Sequence, residues 1–263
     1  MLPFEHLATG FSPINLRACA AASALAYKDE RLIAAECACW GFDRFRFIEN
    51  QTLGAECFIA GNSKMILVVF RGTDELSDWI SDLDCELVNL FNLRLHEGFY
   101  DQLRSVWVEL NNTLAEFRNN AQRIWLTGHS LGGALAALAA LLLLKIEARY
   151  IAGGYTFGQP RVGNLAFARE FNAALKPHFF RVVNEEDVVA RLPRLAMVWP
   201  PAYYHHAGTE VFFDSRGAVH FDLPWWKKIP SDISGWWEEW RLGKSNLLTD
   251  HSLDDYGRKA VEV

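Results

Sequence analysis

The chain has 263 residues, of which 51% are hydrophobic and 22% are charged. This length and composition are typical of one globular domain with a substantial core, and they exclude a disordered chain. The net charge of −6 argues against a nucleic-acid partner, because phosphate backbones attract basic surfaces.

The cysteine pattern favours free thiols over a cross-linked or metal-binding scaffold. The chain has five cysteines: Cys19, Cys37, Cys39, Cys57 and Cys85. An odd number argues against a complete disulfide framework, and no second closely spaced pair accompanies Cys37 and Cys39 to complete a zinc site. We predict reduced thiols.

The alanine-rich segment at residues 18–26 fits either a first helix or the apolar part of a signal peptide. The residues before it lack a basic start, since the first Lys or Arg is Arg17, and the run is mostly alanine. We therefore predict the first helix of the fold. Without a convincing signal peptide, the sequence fits a cytoplasmic protein or a mature secreted form.

Helical and strand patterns then alternate along the chain. The predicted helices cover residues 16–27, 74–88, 99–117 and 131–146. The predicted strands cover residues 65–70, 123–128, 179–184 and 211–214, together with a strand and loop over 153–164. This alternation predicts an α/β fold whose central sheet is mostly parallel or mixed and is flanked by helices. The longest apolar run, at residues 134–144, is shorter than the roughly 20 residues that cross a bilayer, so it predicts a buried helix and no transmembrane segment.

The sequence TGHSLGGA, residues 127–134, contains the G-x-S-x-G pattern of a nucleophile elbow. A strand that turns abruptly into a helix would place Ser130 in strained backbone geometry, and Gly128 and Gly132 leave room for that turn. The serine oxygen then projects at the carboxyl end of the sheet. The N–H of Leu131, at the start of the helix, points to where an oxyanion would form. The neighbouring His129 is a poor candidate for the base, because adjacent side chains on a sharp turn point apart.

In this class of fold the acid and the base follow the serine along the chain. The acid is expected just past a strand, and Asn184-Glu185-Glu186-Asp187 follows the predicted strand 179–184. Asp187 precedes two valines and is the member most suited to face inward, with Glu186 as the second choice. For the base, the residues alone leave several histidines open: His178, His205, His206, His220 and His251.

Six motifs together resemble the class 3 lipases, a branch of the α/β-hydrolase fold that includes fungal triacylglycerol lipases. They are FRGT (70–73), HEGFY (96–100), TGHSLGGALA (127–136), YTFGQPRVGN (155–164), NEEDVVARLP (184–193) and DHSLDDY (250–256). The resemblance runs from about residue 18 to residue 256, and it implies one α/β-hydrolase domain over residues 1–263.

The resemblance also assigns site residues. It implies that Ser130 is the nucleophile, Asp187 the acid and His251 the base, and that the N–H groups of Thr73 and Leu131 form the oxyanion hole. Residues 74–88 fall where the family carries a mobile helical lid, and the lid residues expected to contact the acyl chain are Leu76, Trp79, Ile80 and Leu83.

The implied chemistry is ester hydrolysis through an acyl-enzyme, which requires no metal or organic cofactor. The implied partner is a lipid or ester substrate, bound transiently at a lipid–water interface, and acylglycerols are the favoured substrates. Phospholipase A1 and feruloyl esterase activities fit the same fold. A non-catalytic scaffold that binds an acyl ligand or a protein is a third possibility, although the complete Ser, Asp and His set argues against it.

Five of the ten tryptophans lie within residues 225–240. Ile233, Trp236, Trp237 and Trp240 share one face of a predicted helix, and this face fits either packing against the core or an anchor at a lipid surface.

The predicted lid leads to a test of surface preference. Residues 74–88 carry six carboxylates and no basic residue beside an apolar stripe. Opening the lid in water costs about 25 cal/mol for each Å² of apolar surface exposed, and an oil surface removes that cost. We expect higher rates on neutral acylglycerol droplets than on anionic phospholipid vesicles, because anionic lipid repels the carboxylates. Salt should narrow this difference by screening. Equal rates on both surfaces at low salt, or a difference that salt leaves unchanged, contradict the electrostatic argument.

Overall fold

The computed structural model describes residues 2–73, 86–118, 122–184, 187, 189–193, 195–196, 202–214, 218–224 and 251–262. In chain order the strands are β1 (Arg44–Asn50), β2 (Ala55–Gly61), β3 (Met65–Phe70), β4 (Leu87–Leu90), β5 (Leu93–His96), β6 (Arg123–His129), β7 (Ile151–Phe157), β8 (Phe179–Asn184), β9 (Leu195–Ala196), β10 (Ala202–Tyr203), β11 (Thr209–Phe213) and β12 (Val219–Phe221). The helices are α1 (Pro13–Leu25), α2 (Glu30–Trp40), α3 (Glu97–Phe117), α4 (Leu131–Lys145), α5 (Leu165–Leu175) and α6 (Leu253–Glu262). Single 3-10 turns occupy Lys176–His178 and Val189–Arg191.

The central sheet has eight strands in the order β1-β2-β3-β6-β7-β8-β11-β12. The five strands from β3 to β11 in this order are parallel to their neighbours, and antiparallel strands complete both edges. The prediction of an α/β fold with a mixed central sheet is confirmed, and the strand predicted at residues 211–214 is part of β11, which pairs antiparallel with β12. The carboxyl ends of β3, β6, β7 and β8 therefore meet at one edge, where α/β proteins place their sites.

Helices cover both faces of the sheet, and each face has its own core. Successive residues of a strand point to opposite faces, so Ile66 and Val68 of β3 pack with α3, α4 and α5, while Leu67 and Val69 pack with α1, α2 and α6. Because all the strands between β3 and β8 are covered on both sides, they consist almost entirely of buried residues.

Two sequence predictions about apolar segments are confirmed. Helix α1 contains the alanine-rich run and packs it into the core, and α4 is buried along almost its whole length. In the part of the chain that the structure describes, no helix is long and apolar enough to cross a bilayer. Within the same residues, Cys19, Cys37, Cys39 and Cys57 are free thiols, and Cys85 lies outside them.

One boundary in the prediction was wrong. The helix predicted over residues 74–88 does not reach its expected end, because Leu87 and Val88 belong to β4 and pair with His96 and Leu95 of β5. The spacing of leucines alone could not distinguish a helix from a strand at residues 87–88. The chain reverses direction in a turn at Phe91, and the pairing of β4 with β5 makes this segment a strand. The rest of that prediction, including Leu76, Trp79, Ile80 and Leu83, lies outside the described residues, as does the tryptophan-rich segment 225–240.

The junction between β6 and α4 depends on close backbone approach. A Cβ added at Gly132 would lie 2.3 Å from the carbonyl oxygen of Phe70 and 2.8 Å from the carbonyl carbon of Arg71. A Cβ added at Gly128 would lie 2.4 Å from the carbonyl carbon of Gly132. Since the opposing atoms are backbone, they cannot move aside without shifting β3 or the helix.

The close approach of Gly132 to the backbone of β3 leads to a prediction about the stability of two glycine-to-alanine variants. Gly132→Ala should lower the free energy of unfolding by about 1–3 kcal/mol, as overpacking does elsewhere, and reduce Tm by roughly 2–4 °C for each kcal/mol. The matched control is Gly10→Ala, because no atom lies within 4 Å of a Cβ placed there. Thermal unfolding of both variants by circular dichroism provides the measurement. Similar melting temperatures for the two variants would show that the approach of α4 to β3 is not tight.

Candidate active site

Ser130 stands between the last residue of β6 and the first residue of α4, with φ 55° and ψ −126°. This backbone conformation is strained for a residue other than glycine, and such strain concentrates at functional sites. Its N–H donates to the carbonyl of Phe157 at 2.8 Å, and its carbonyl accepts from the N–H of Gly133 at 2.9 Å. The residue is 1% exposed, and Ser130 Oγ has no hydrogen-bond partner among the described residues.

A second buried group lies between the turn after β8 and the start of α6. His251 Nδ1 is 2.9 Å from Asp187 Oδ2, and both side chains are almost fully buried. Because an ionised carboxylate only accepts, Nδ1 carries the proton and donates. In the neutral form of this ring the lone pair is on Nε2, which also has no hydrogen-bond partner within the described part of the chain. An unpaired base nitrogen and an unpaired hydroxyl are the two groups that proton transfer requires.

Three donors stabilise the charge of Asp187. Besides His251, they are the hydroxyl of Tyr256, 2.5 Å from Oδ2, and the N–H of Ala190, 3.2 Å from Oδ1. Burial by itself raises the pKa of Asp187, but the charge of His251 and these hydrogen bonds outweigh burial, and the pKa is lowered. Asp187 therefore stays ionised although no solvent reaches it.

Tyr256 is held on its other side by the N–H of Asn184, which donates to the tyrosine oxygen at 3.1 Å. Burial, together with the charge of Asp187, raises the pKa of Tyr256 well above its usual value, so the phenol remains a donor. The sequence analysis missed this residue, although it lies within the DHSLDDY motif, because its partners are 69 and 72 residues away.

Gly158 closes the site beneath the His251–Asp187 pair. It follows β7 with φ 58°, and a Cβ there would lie 2.5 Å from His251 Cε1 and 2.7 Å from Asp187 Oδ2. Glycine is therefore required twice, by the positive φ and by the close packing. Gly158 directly follows Phe157, whose carbonyl accepts the N–H of Ser130, so the His251–Asp187 pair packs at the same strand end as the serine turn.

His129 is not placed to act as the base. Its Nδ1 lies 2.8 Å from the hydroxyl of Tyr27, and its Nε2 lies 2.7 Å from the backbone carbonyl oxygen of His251. Burial, followed by the charge of His251, lowers its pKa to about 3, so the ring is neutral at ordinary pH. This agrees with the sequence argument that His129 points away from the serine oxygen.

The turn that contains Thr73 lies against the serine turn. A Cβ on Gly72 would be 3.3 Å from Ser130 Cβ and 2.6 Å from the carbonyl oxygen of His129. Thr73 follows directly. Leu131 is the first residue of α4, where backbone N–H groups have no intrahelical acceptor. Both residues named for the oxyanion hole therefore lie next to Ser130 in the fold.

The other candidate histidines have partners elsewhere. His178 Nδ1 lies 2.9 Å from the carbonyl oxygen of Thr9, and His220 pairs with Asp214 at 3.0 Å. The backbone N–H of His205 donates to the carbonyl of Gly163 at 2.8 Å, and burial lowers the pKa of its ring. Of the alternative acids, Glu185 and Glu186 lie outside the described residues.

The neutral His129 predicts a pH dependence of stability. Its pKa is about 3 in the folded chain and 6.5 as the unperturbed value. Between these values the unfolded chain binds a proton that the folded chain does not, so stability is complete above about pH 6.5 and is lost as the pH falls. From about pH 6.5 to about pH 4.5 the loss due to this group should be about 2 kcal/mol.

Urea unfolding of the wild type and of His129→Gln at several pH values in this window measures that loss. The wild type should lose more stability than the variant, which has no titrating ring at this position. Asp187 does not interfere, because its lowered pKa confines its contribution to about pH 4 and below. Parallel pH profiles for the two proteins contradict the prediction.

Comparison with known proteins places this geometry in a family. Residues 67–197 match the family model described as Lipase (class 3). A lipase from Rhizomucor miehei is 39% identical over 158 residues, which are 57% of this chain and 42% of that protein. A phospholipase A1-II 1 from Oryza sativa subsp. indica is 27% identical over 185 residues, 60% of this chain and 45% of that protein. The chain spans about half the length of the curated relatives it matches.

Solved structures agree with the sequence relatives. The Rhizomucor miehei triacylglyceride lipase superposes with a TM-score of 0.64 at 29% identity, over 79% of this chain and 83% of that chain. A triacylglycerol lipase whose catalytic centre is described as a serine protease triad superposes with a TM-score of 0.63 at 27% identity, over 84% of this chain and 87% of that chain. The fold is that of the α/β-hydrolases, and the chain belongs to the class 3 lipase family.

Proposed function

We propose that this chain hydrolyses carboxylic esters, with acylglycerols as its substrates, through Ser130, His251 and Asp187. The proposal depends on one observation about two side-chain atoms. Ser130 Oγ and His251 Nε2 are both buried, and neither has a hydrogen-bond partner among the described residues. Buried polar atoms are rarely left without a partner unless a ligand or the chemistry requires it.

In the proposed reaction, His251 Nε2 takes the proton of Ser130 as the serine oxygen attacks the ester carbonyl. Asp187 stays ionised, fixes the tautomer of the imidazole and stabilises its positive form. The N–H groups of Leu131 and Thr73 donate to the oxyanion, and losing one such donor costs roughly 100- to 1,000-fold in rate. The imidazolium then protonates the leaving alcohol, and a water molecule, deprotonated by His251, hydrolyses the acyl-enzyme.

The relatives support the substrate class. Two proteins of similar fold are lipases named for triacylglycerides or triacylglycerols. The acidic amphipathic segment 74–88 adds an expectation from the sequence, that the enzyme works at the surface of lipid droplets. Catalysis by the three side chains uses no metal or cofactor.

Phospholipase A1 activity is the second candidate, and the rice relative is the observation that favours it. The two substrates differ at the third carbon of glycerol, which carries a neutral acyl ester in one and a charged phosphodiester in the other. Hydrolysis of trioleoylglycerol and of phosphatidylcholine in the same detergent micelles compares them directly. A feruloyl ester in the same assay covers the third activity of this fold.

The proposed roles predict a graded series of variants. Ser130→Ala and His251→Ala should each lower kcat by roughly 10⁵- to 10⁶-fold, and Asp187→Asn by roughly 10⁴-fold, because the amide permits the wrong tautomer of His251. His205→Ala is the matched control and should stay active, because that ring lies elsewhere in the fold. Initial rates on a soluble short-chain p-nitrophenyl ester provide the measurement.

A fluorescent organophosphonate tests the nucleophile independently of the substrate. The wild type should be labelled at Ser130, which peptide mass spectrometry locates, and Ser130→Ala should not be labelled. A folded wild type that is neither labelled nor hydrolytic is the outcome expected of a non-catalytic scaffold. An active His251→Ala together with an inactive His205→Ala would mean that the base is wrongly assigned.

A further inference from the structure

A chain of two hydrogen bonds connects the end of α1 to the backbone of the proposed base. The carbonyl oxygen of His251 can only accept, so His129 Nε2, 2.7 Å away, carries the proton and donates. In the neutral ring, His129 Nδ1 is then an acceptor, and the hydroxyl of Tyr27, 2.8 Å away, donates to it. Because the carbonyl oxygen of His251 cannot donate, it determines the direction of both hydrogen bonds.

Tyr27 also contacts the turn that contains Thr73. A Cβ on Gly72 would lie 2.3 Å from the Tyr27 hydroxyl oxygen, so only a glycine leaves room for it. The guanidinium of Arg71 lies 5.6 Å from the centre of the Tyr27 ring. Arg71 is in turn held by Glu56, through an ion pair of 2.7 Å and a backbone hydrogen bond of 3.0 Å. Tyr27 is thus packed against an oxyanion turn that is itself anchored to β2.

We propose that Tyr27 and His129 are positioning residues, which hold the backbone of His251 in register with the oxyanion turn so that Nε2 meets the serine oxygen. The inference rests on the proposed function, and it adds two residues that do not touch the substrate. We call the pair the Tyr27–His129 bridge. Its importance comes from geometry, because a displacement of about 1 Å at a catalytic group can cost about 100-fold in rate.

The bridge contacts His251, which precedes helix α6, whereas the helix itself is held in place by other contacts. Helix α6 is anchored by Tyr256 and Ala260, which are both buried in the core that α1 and α2 cover. The contact of His129 Nε2 is with His251, just before that helix begins. Loss of the bridge should therefore shift His251 and leave the helix packed, so the effect should fall on kcat and not on folding.

Asparagine and glutamine at position 129 separate the two halves of the bridge. The Asn side chain places an oxygen near the position of Nδ1, where it can accept from Tyr27, but it is too short to reach the carbonyl of His251. The Gln side chain places its amide nitrogen near Nε2, where it can donate to that carbonyl. His129→Leu removes both bonds, and His178→Gln is a matched control at the surface histidine that contacts Thr9.

The experiment measures kcat and KM on a soluble short-chain p-nitrophenyl ester, with Tm recorded for each variant. We expect His129→Asn and His129→Leu to lose roughly 10- to 100-fold in kcat with little change in KM. His129→Gln should restore most of the kcat, and Tyr27→Phe should show a smaller loss than His129→Asn. The low-field proton resonance of His251 Nδ1–H should move in the Asn variant and return in the Gln variant.

Two outcomes overturn different conclusions. If the wild type hydrolyses the ester and is labelled at Ser130, but the Asn, Gln and Leu variants share one kcat, or lose kcat only in proportion to Tm, the bridge has no positioning role. If the folded wild type shows neither hydrolysis nor labelling, the proposed function fails, and this inference fails with it.

Discussion

The backbone strain at Ser130 is the constraint on which the arrangement of the site depends. A serine with φ 55° is held there only because its neighbours leave no alternative. Its N–H is bonded to Phe157, and the helix that follows lies so close to Phe70 and Arg71 that only glycine fits at position 132. Strands β3, β6 and β7 thus all contribute to one turn. The same backbone contacts place the FRGT turn, residues 70–73, next to Ser130. This arrangement therefore follows from the packing of the fold and requires no bound substrate.

Burial creates a second requirement, since Asp187, the proposed acid, is inaccessible to solvent. An isolated carboxylate in such a place would become protonated. Asp187 avoids this through three donors that come from different parts of the chain: a histidine, a tyrosine of the same C-terminal segment and a backbone amide of the adjacent turn. Removing water also strengthens the interaction of the carboxylate with a charged imidazole. The residues that keep Asp187 ionised therefore also suit it to the proposed role of stabilising a charged His251.

Local patterns in the sequence predicted the parts of this structure that depend on local geometry. The strand, the strained turn and the apolar helix around Ser130 follow from glycine spacing and from hydrophobic runs, and the mixed sheet follows from the alternation of elements. The spacing of leucines near residue 87 could not distinguish a helix from β4, because β pairing is decided by a distant partner. The contacts of Tyr256, Tyr27 and His129 join residues 69 to 122 positions apart, and no local pattern encodes them.

The histidine next to the serine shows why a motif position can matter without taking part in the chemistry. The rings of His129 and His251 are 4.5 Å apart. If His129 were charged, it would oppose the positive charge that His251 acquires in the proposed reaction. Burial prevents this by lowering the pKa of His129 to about 3. The neutral ring then directs a donor at the backbone of His251 and an acceptor at Tyr27, which suits His129 to the proposed positioning role without adding a charge.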